Sequence, residues 1–436
     1  MRRIFLFLLS LMVLSGIFAG ARQESKDSAD KPLKIYFLLQ AAESSAIAKA
    51  HADVAAKYKE IHQDFSYQPE YIADAEAFFQ KLRILISSNE IPDWFVGDPD
   101  TFAMGLRDEK LIANIGALLD ELGKKDRFFP LNIARASFED GTKYQMGVGA
   151  ALEYFWYHPS LFSRAGIQSK PKTWDEFYIA CDALKAAGIA PIAGTREPWH
   201  ILRYAAFIPF RMTGNKFIME ARTGKTKFNS EVGLAAAEFI QKMTGYFQEG
   251  WAGVDFTSAR NHFMAGNSAI WYVSTGPAFE IMIDGNGELI GDIDYFTLPM
   301  LDGYTVTNPA DSFTSVQKSI MISTKAMENN PVKMKDYVSF WIDNFSQATL
   351  KYNFLAGQKL PPNVKISQIY QETLDNFSKI DPIEYPRFWD ILVDSATREV
   401  LMAETLNLAV GAITPVQWAT RLDTSVSQNA ESFGLK

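Results

Sequence analysis

Residues 79–98 read FQKLRILISSNEIPDWFVGD, a helix that runs through a break into a buried strand. Phe78, Phe79, Leu82, Leu85 and Ile86 recur at helical spacing and give one strongly apolar face. Ile91-Pro92-Asp93 ends that helix and feeds the strand Trp94-Phe95-Val96. Upstream, Leu33 to Leu39 is a short apolar run with a β-branched and aromatic centre, a buried first strand. Ile47, Val54, Tyr58 and Ile61 fall on one helical face, and Phe65 to Ile72 reads as a second strand. This βαβαβ order predicts a parallel sheet with helices on both faces. Ligands of such sheets collect at the carboxyl ends of the strands. Gln40 and Glu43 follow the first strand, and Asp98 and Asp100 follow the third, so all four are candidates for one crevice. Asp98 and Asp100 also suit a turn around Pro99 or a helix N-cap.

A second α/β pattern starts near residue 150, as 436 residues require, being too many for one ordinary core. Tyr154 to Tyr157 is strand-like. Thr173 and Glu176 predict a capping box, with Trp174, Phe177, Cys181 and Leu184 as the buried stripe and Gly188 as the stop. That stripe makes Cys181, the single cysteine, a core residue and excludes an intramolecular disulfide framework. Near the end, Gly411 closes a helix and Thr414-Pro415-Val416-Gln417 opens the next, with Trp418 packed beneath it.

The first residues are expected to leave the mature chain. Arg2 and Arg3 precede an apolar stretch, Ile4 to Phe18, and Ala19-Gly20-Ala21 has the small-x-small form of a signal-peptidase site. Residues 1–21 are therefore read as a signal peptide and 22–32 as a flexible leader, placing the protein in the periplasm or outside the cell. No cysteine stands at the cleavage point, which disfavours a lipid anchor. Loss of two arginines and no acid takes the net charge from −8 to −10. So acidic a chain, without basic clusters, is a poor partner for nucleic acid or anionic lipid.

Catalytic apparatus is sparse. None of the 5 histidines pairs at the spacing of a zinc helix; His51 and His62 read as polar helix surface. There is no nucleophile elbow, Walker loop or dinucleotide fingerprint, and nothing calls for a metal or a cofactor. Plentiful carboxylates leave a glycosidase pair open.

From about residue 33 onward, the order of several short segments is similar to the family 1 extracellular solute-binding proteins, the maltose-binding-protein-like group. The resemblance rests first on the helix, "Pro-Asp" and strand of 79–98. Asp140-Gly141-Thr142-Lys143-Tyr144 resembles the family's turn before a crossover, and Trp156 to Phe162 followed by Ala165-Gly166 its "Tyr-Tyr-Asn-x-x-Leu-Phe-x-x-Ala-Gly". Lys172 to Phe177, Phe263 to Ile270 and Gly276-Pro277 continue the series. Ala278 stands where the family carries a Trp, and Phe279 beside it is the candidate replacement.

The resemblance implies a non-enzymatic clamshell of two α/β lobes, each a mostly parallel sheet flanked by helices, closing on a solute by hinge motion. Lobe I would comprise 33–149 plus 297–356, and lobe II 150–296 plus 357–436. Hinge crossings are expected near Gly149 and Ala150, Pro299, and Gly357. It also implies a monomeric sugar-binding component of an ABC importer that delivers its solute to a membrane permease. A polyamine, an organophosphate, a small peptide, a sensory role or a secreted carbohydrate-active enzyme remain the alternatives. A pyranose has an apolar C–H face and a rim of hydroxyls, so aromatic platforms and carboxylates or amides bind it together. On that basis Trp199 and Trp389 are the stacking candidates beside Phe279, with packing of Trp199 as a loop anchor on its own lobe and burial of Trp389 in lobe II as the alternatives. Asp311 joins Gln40, Glu43, Asp98 and Asp100 as polar candidates. Trp156, Trp271 and Trp341 are assigned to cores.

Overall fold

The computed structural model describes residues 31–315 and 318–431. The expected signal peptide and most of the leader lie outside the described residues. Among the described residues ten strands form two sheets: β1 (Lys34–Leu39), β2 (Ser66–Tyr71), β3 (Trp94–Gly97), β4 (Met146–Gly147), β5 (Ala151–Tyr157), β6 (Ala190–Ile192), β7 (Ser268–Ser274), β8 (Asp294–Phe296), β9 (Thr314–Ser315) and β10 (Ser319–Ile322).

The first sheet has the order β2-β1-β3-β10-β4, and the second β6-β7-β5-β8, with β9 paired to β5. The βαβαβ reading holds for β1, β2 and β3, which run parallel, with Phe37 opposite Trp94. Elsewhere β6 and β7 also run parallel, but the remaining pairings make both sheets mixed rather than mostly parallel. β10 is antiparallel to β3 and β4, and β5 is antiparallel to β7, β8 and β9. The right-handed parallel rule governs strands joined by a crossover within one sheet. β5 and β10 instead arrive from the other sheet, so that rule does not fix their direction.

Each half has its own apolar core. In the first, Trp94, Trp341 and Phe345 pack under the sheet. His51 lies here too, 1% exposed and stacked on Trp341, not on a polar surface as its sequence neighbours suggested. In the second, Trp174, Phe177 and Cys181 form the predicted stripe, and Trp418 is fully buried beneath its capping box. At the earlier helix, Thr173 caps Glu176 as expected, but the Glu176 carboxylate turns back to the amide of Lys172.

The chain passes between halves at β4–β5, where Asn132 fixes the local backbone. Gly149 bridges Ala356, Ala150 N donates to Leu355 O at 2.9 Å, and Gly357 N donates to Val148 O at 2.9 Å. The Asn132 amide donates to Gly149 O at 2.8 Å, and a Cβ on Gly357 would fall 1.9 Å from its nitrogen. Glycine at 357 is thus a packing requirement. Pro299 behaves differently from the expected hinge. Fully buried Arg211 holds the carbonyls of Leu298, Pro299 and Asn308, and Leu298 and Phe313 belong to the second core. The segment after β8 therefore stays with the second half until β9, and the first sheet is rejoined only at β10.

Candidate functional site

The carboxyl ends of β1 and β3 in the first half face the junction of β5 and β7 in the second across a cavity of about 400 Å³. Gln40 and Asp98 line it from the first sheet, with Phe79 from the helix Ala75–Ser87. Trp199 and Arg203 line it from the helix Pro198–Thr213, four residues apart and so on one face. Trp199 sits in the first turn of that helix, only partly buried, with its ring against Phe256 and the guanidinium of Arg203. Glu153 at the start of β5, Tyr272 on β7 and Asp390 complete the polar floor.

Several charges in this cleft are paired. Lys318 Nζ is 2.6 Å from Asp98 Oδ2. Arg203 stacks 3.6 Å over the Phe388 ring and lies 3.5 Å from Glu153 and 3.6 Å from Asp390. Burial raises Glu153 above the usual carboxylate range; Arg203 and the Tyr272 hydroxyl partly counter it. Burial also raises Asp98, but Lys318, with Arg135 and Arg398 behind it, more than offsets this and holds it low. His200 Nε2 donates to Tyr272 O, and burial lowers its pKa to about 4, so the ring is neutral at pH 7. Among the buried atoms of the lining, Gln40 Oε1, Arg135 Nε and His200 Nδ1 lack a hydrogen-bond partner among the described residues, and Asp390 Oδ1 meets only the Arg203 guanidinium at 3.6 Å. Such atoms are costly unless something occupies the cavity to meet them.

The other sequence candidates lie elsewhere. Asp100 is the N-cap of the helix Thr101–Asp108, accepting from Ala103 N at 3.0 Å, beside the cavity rather than in its wall. Glu43 is exposed beyond the rim. Phe279 is 1% exposed, packed on Trp156 and Tyr370, and cannot replace a cleft tryptophan. Trp389 is 2% exposed between Phe217 and Phe228. Asp311 accepts from Asn308 N in the loop that Arg211 ties down. Conversely, Glu153, Arg203, Lys318 and Asp390 were not singled out as site residues from sequence. Glu153 did carry a signal: it is the one acid within a wholly buried strand, ALEYFWY.

Asp100 gives a prediction on pH. Burial, with the Asp98 charge adding, raises it from 3.8 to about 6. The folded state then binds more protons than the unfolded one between those values, so this group's contribution is full below pH 3.8 and is lost as pH rises through 6. Asn caps a helix as well as Asp. Asp100→Asn should therefore gain roughly 1–2 kcal/mol over the parent at pH 7 and little at pH 4. Urea melts at both pH values check this; an equal effect at both means the group is ordinarily solvated.

The halves touch beside the cavity. Thr101 Oγ1 lies 2.7 Å from Ser395 Oγ, and Arg222 forks onto the Glu139 carboxylate, one contact being 2.6 Å.

The same architecture is found in known proteins. A chitin oligosaccharide binding protein superposes over 92% of this chain and 99% of its own at TM-score 0.78 and 20% identity. A protein described under xylan utilization by the thermophilic bacterium Caldanaerobius polysaccharolyticus gives 0.77 and 18%, covering 90% of this chain and 99% of its own. At these identities the likeness concerns the fold. In sequence, the sn-glycerol-3-phosphate-binding periplasmic protein of Brucella abortus (strain 2308) is 24% identical over 180 residues, 39% of this chain. That match spans 41% of the relative's own length. The family described as bacterial extracellular solute-binding protein matches residues 41–344, well over half of the chain. With two α/β halves enclosing a polar and aromatic cleft, the chain belongs to the bacterial extracellular solute-binding proteins.

Proposed function

We propose that this protein captures a sugar between its two halves outside the cytoplasmic membrane and releases it, unchanged, to the permease of an ABC importer. The observation that carries the sugar reading is the composition of the cleft wall. Trp199 and Phe79 offer flat apolar surface from opposite halves, while Gln40 presents an unpartnered oxygen between them. Aromatic faces with a few convergent polar groups suit a ring with hydroxyls at its edge. Asp98, Glu153 and Asp390 already lie beside cations, which disfavours a polyamine. Export follows from the N-terminal reading, so protein recovered from cells is expected to begin at Arg22.

Thermal-shift screening of the mature chain against mono- and oligosaccharides, with sn-glycerol 3-phosphate as the comparison solute, tests the proposal. A solute at 100 times its Kd adds about 2.7 kcal/mol to stability. The expected result is such a shift with a sugar, and recovery of that sugar intact by mass spectrometry after long incubation. Response to glycerol phosphate without response to any sugar would overturn the sugar reading. Turnover of the bound sugar would overturn the transport reading.

A further inference from the structure

Beyond Arg135 and Ile391, which line the cleft, lies a second chamber of about 590 Å³ that shares both residues as its wall. It is built from both halves: Phe128 and Lys143 come from the first, Tyr385 and Arg387 from the second. Its charge is arranged unlike that of the cleft. Tyr385 lies beside two guanidinium groups, Arg135 at 5.5 Å and Arg387 at 4.9 Å from its ring centre. Both Nε–H groups are buried without a hydrogen-bond partner, and Arg135 is 7% exposed overall. Neither arginine forms an ion pair among the described residues. Lys125, Lys143 and Lys359 add positive charge around the chamber. Of the two acids in its lining, Glu139 is already held by Arg222, leaving Asp126.

A buried guanidinium with an open N–H is an expensive arrangement unless an acceptor completes it, and planar oxyanions match it best. We infer that this second chamber is an anion subsite, in which Arg135 and Arg387 seat a carboxylate or phosphate carried by the solute. This deepens the capture reading and rests on it: the neutral part of the solute lies in the cleft, and its acidic group passes Arg135. An acidic saccharide or a sugar phosphate has that chemistry. Because both halves supply the chamber, the anion bridges them in the closed form.

The test uses D-glucuronate and inorganic phosphate as probes, with D-glucose as the neutral control and ionic strength held constant with sodium chloride. The expected result is a rise in melting temperature with at least one anion. Arg387→Gln should weaken that anion at least tenfold by calorimetry, and Lys359→Gln, at an exposed position, should weaken it less while folding normally. Glucuronate alone identifies a sugar acid, and phosphate alone a phosphorylated solute. The inference fails if neither anion binds, or if binding survives both substitutions. Arg387 is outside the cleft wall, so a neutral sugar found in the thermal screen should bind Arg387→Gln as it binds the parent. Loss of the anion with retention of that sugar thus separates failure of this subsite from failure of the capture reading.

Discussion

Arg203→Met is expected to destabilise the protein by about 3–5 kcal/mol at pH 7, the range for removing one partner of a buried ion pair. The side chain of Glu153 is 6% exposed and that of Arg203 17%, so solvent screens the pair weakly. Methionine keeps much of the packing on Phe388, and what is lost is mainly the charge. Burial already raises Glu153, and removing the cation that partly counters this raises it further. The folded variant then holds a proton that the unfolded chain gives up at about pH 4.3, so the variant's stability falls as pH rises above that value. The deficit should accordingly be smaller at pH 5 than at pH 7. Adding Glu153→Gln to Arg203→Met should recover part of it, because an amide carries no uncompensated charge. Guanidinium chloride melts of the parent, both single variants and the double variant at the two pH values measure the coupling. A loss under 1 kcal/mol that is the same at both would mean the pair is effectively solvated.

How far the sequence could be read depended on whether the deciding contact was local. The amphipathic helix of 75–87 and the strand it feeds follow from spacing alone, as does the cap at Thr414, where the side chain–backbone exchange lies within four residues. Gln40 and Asp98 were reachable because a strand's carboxyl end is a position with a known use. The direction of β5 and β10 was not, because each is set by a partner strand in distant sequence. Trp389 and Phe279 show the same limit from the other side. An aromatic residue's sequence neighbours do not say whether its ring meets solvent, and here Phe217, Phe228 and Tyr370 close over the two rings. Lys318 reaches Asp98 across 220 positions of chain, a pairing that no local pattern encodes.

Closure, as proposed, would connect these elements. Gly149, Ala356 and Gly357 pair the crossing segments side by side, and on the capture proposal rotation about them would move the halves as units. Ligand can favour the closed arrangement only by contacts that the open one lacks. On that proposal Trp199 would supply such a contact, since its wall belongs to the second half while Phe79 and Gln40 face it from the first.

Trp199→Ala should therefore weaken binding of the captured sugar by about 1–3 kcal/mol while leaving the fold intact. The partly buried ring touches Phe256 and His200 at the first turn of its helix, where truncation opens no enclosed cavity. Trp389→Ala is the contrasting case. Enclosed by Phe217 and Phe228, its removal should cost about 3–5 kcal/mol of stability with or without solute. Calorimetry on both variants, beside scattering measurements of the parent with and without solute, distinguishes the two roles. The parent is expected to contract on binding, and Trp199→Ala to contract only at higher solute concentration. Unchanged affinity in Trp199→Ala, with a melting temperature lowered equally in free and bound protein, would assign this ring to the core of the second half. The stacking surface would then fall to Phe79, which lines the same cavity from the first half.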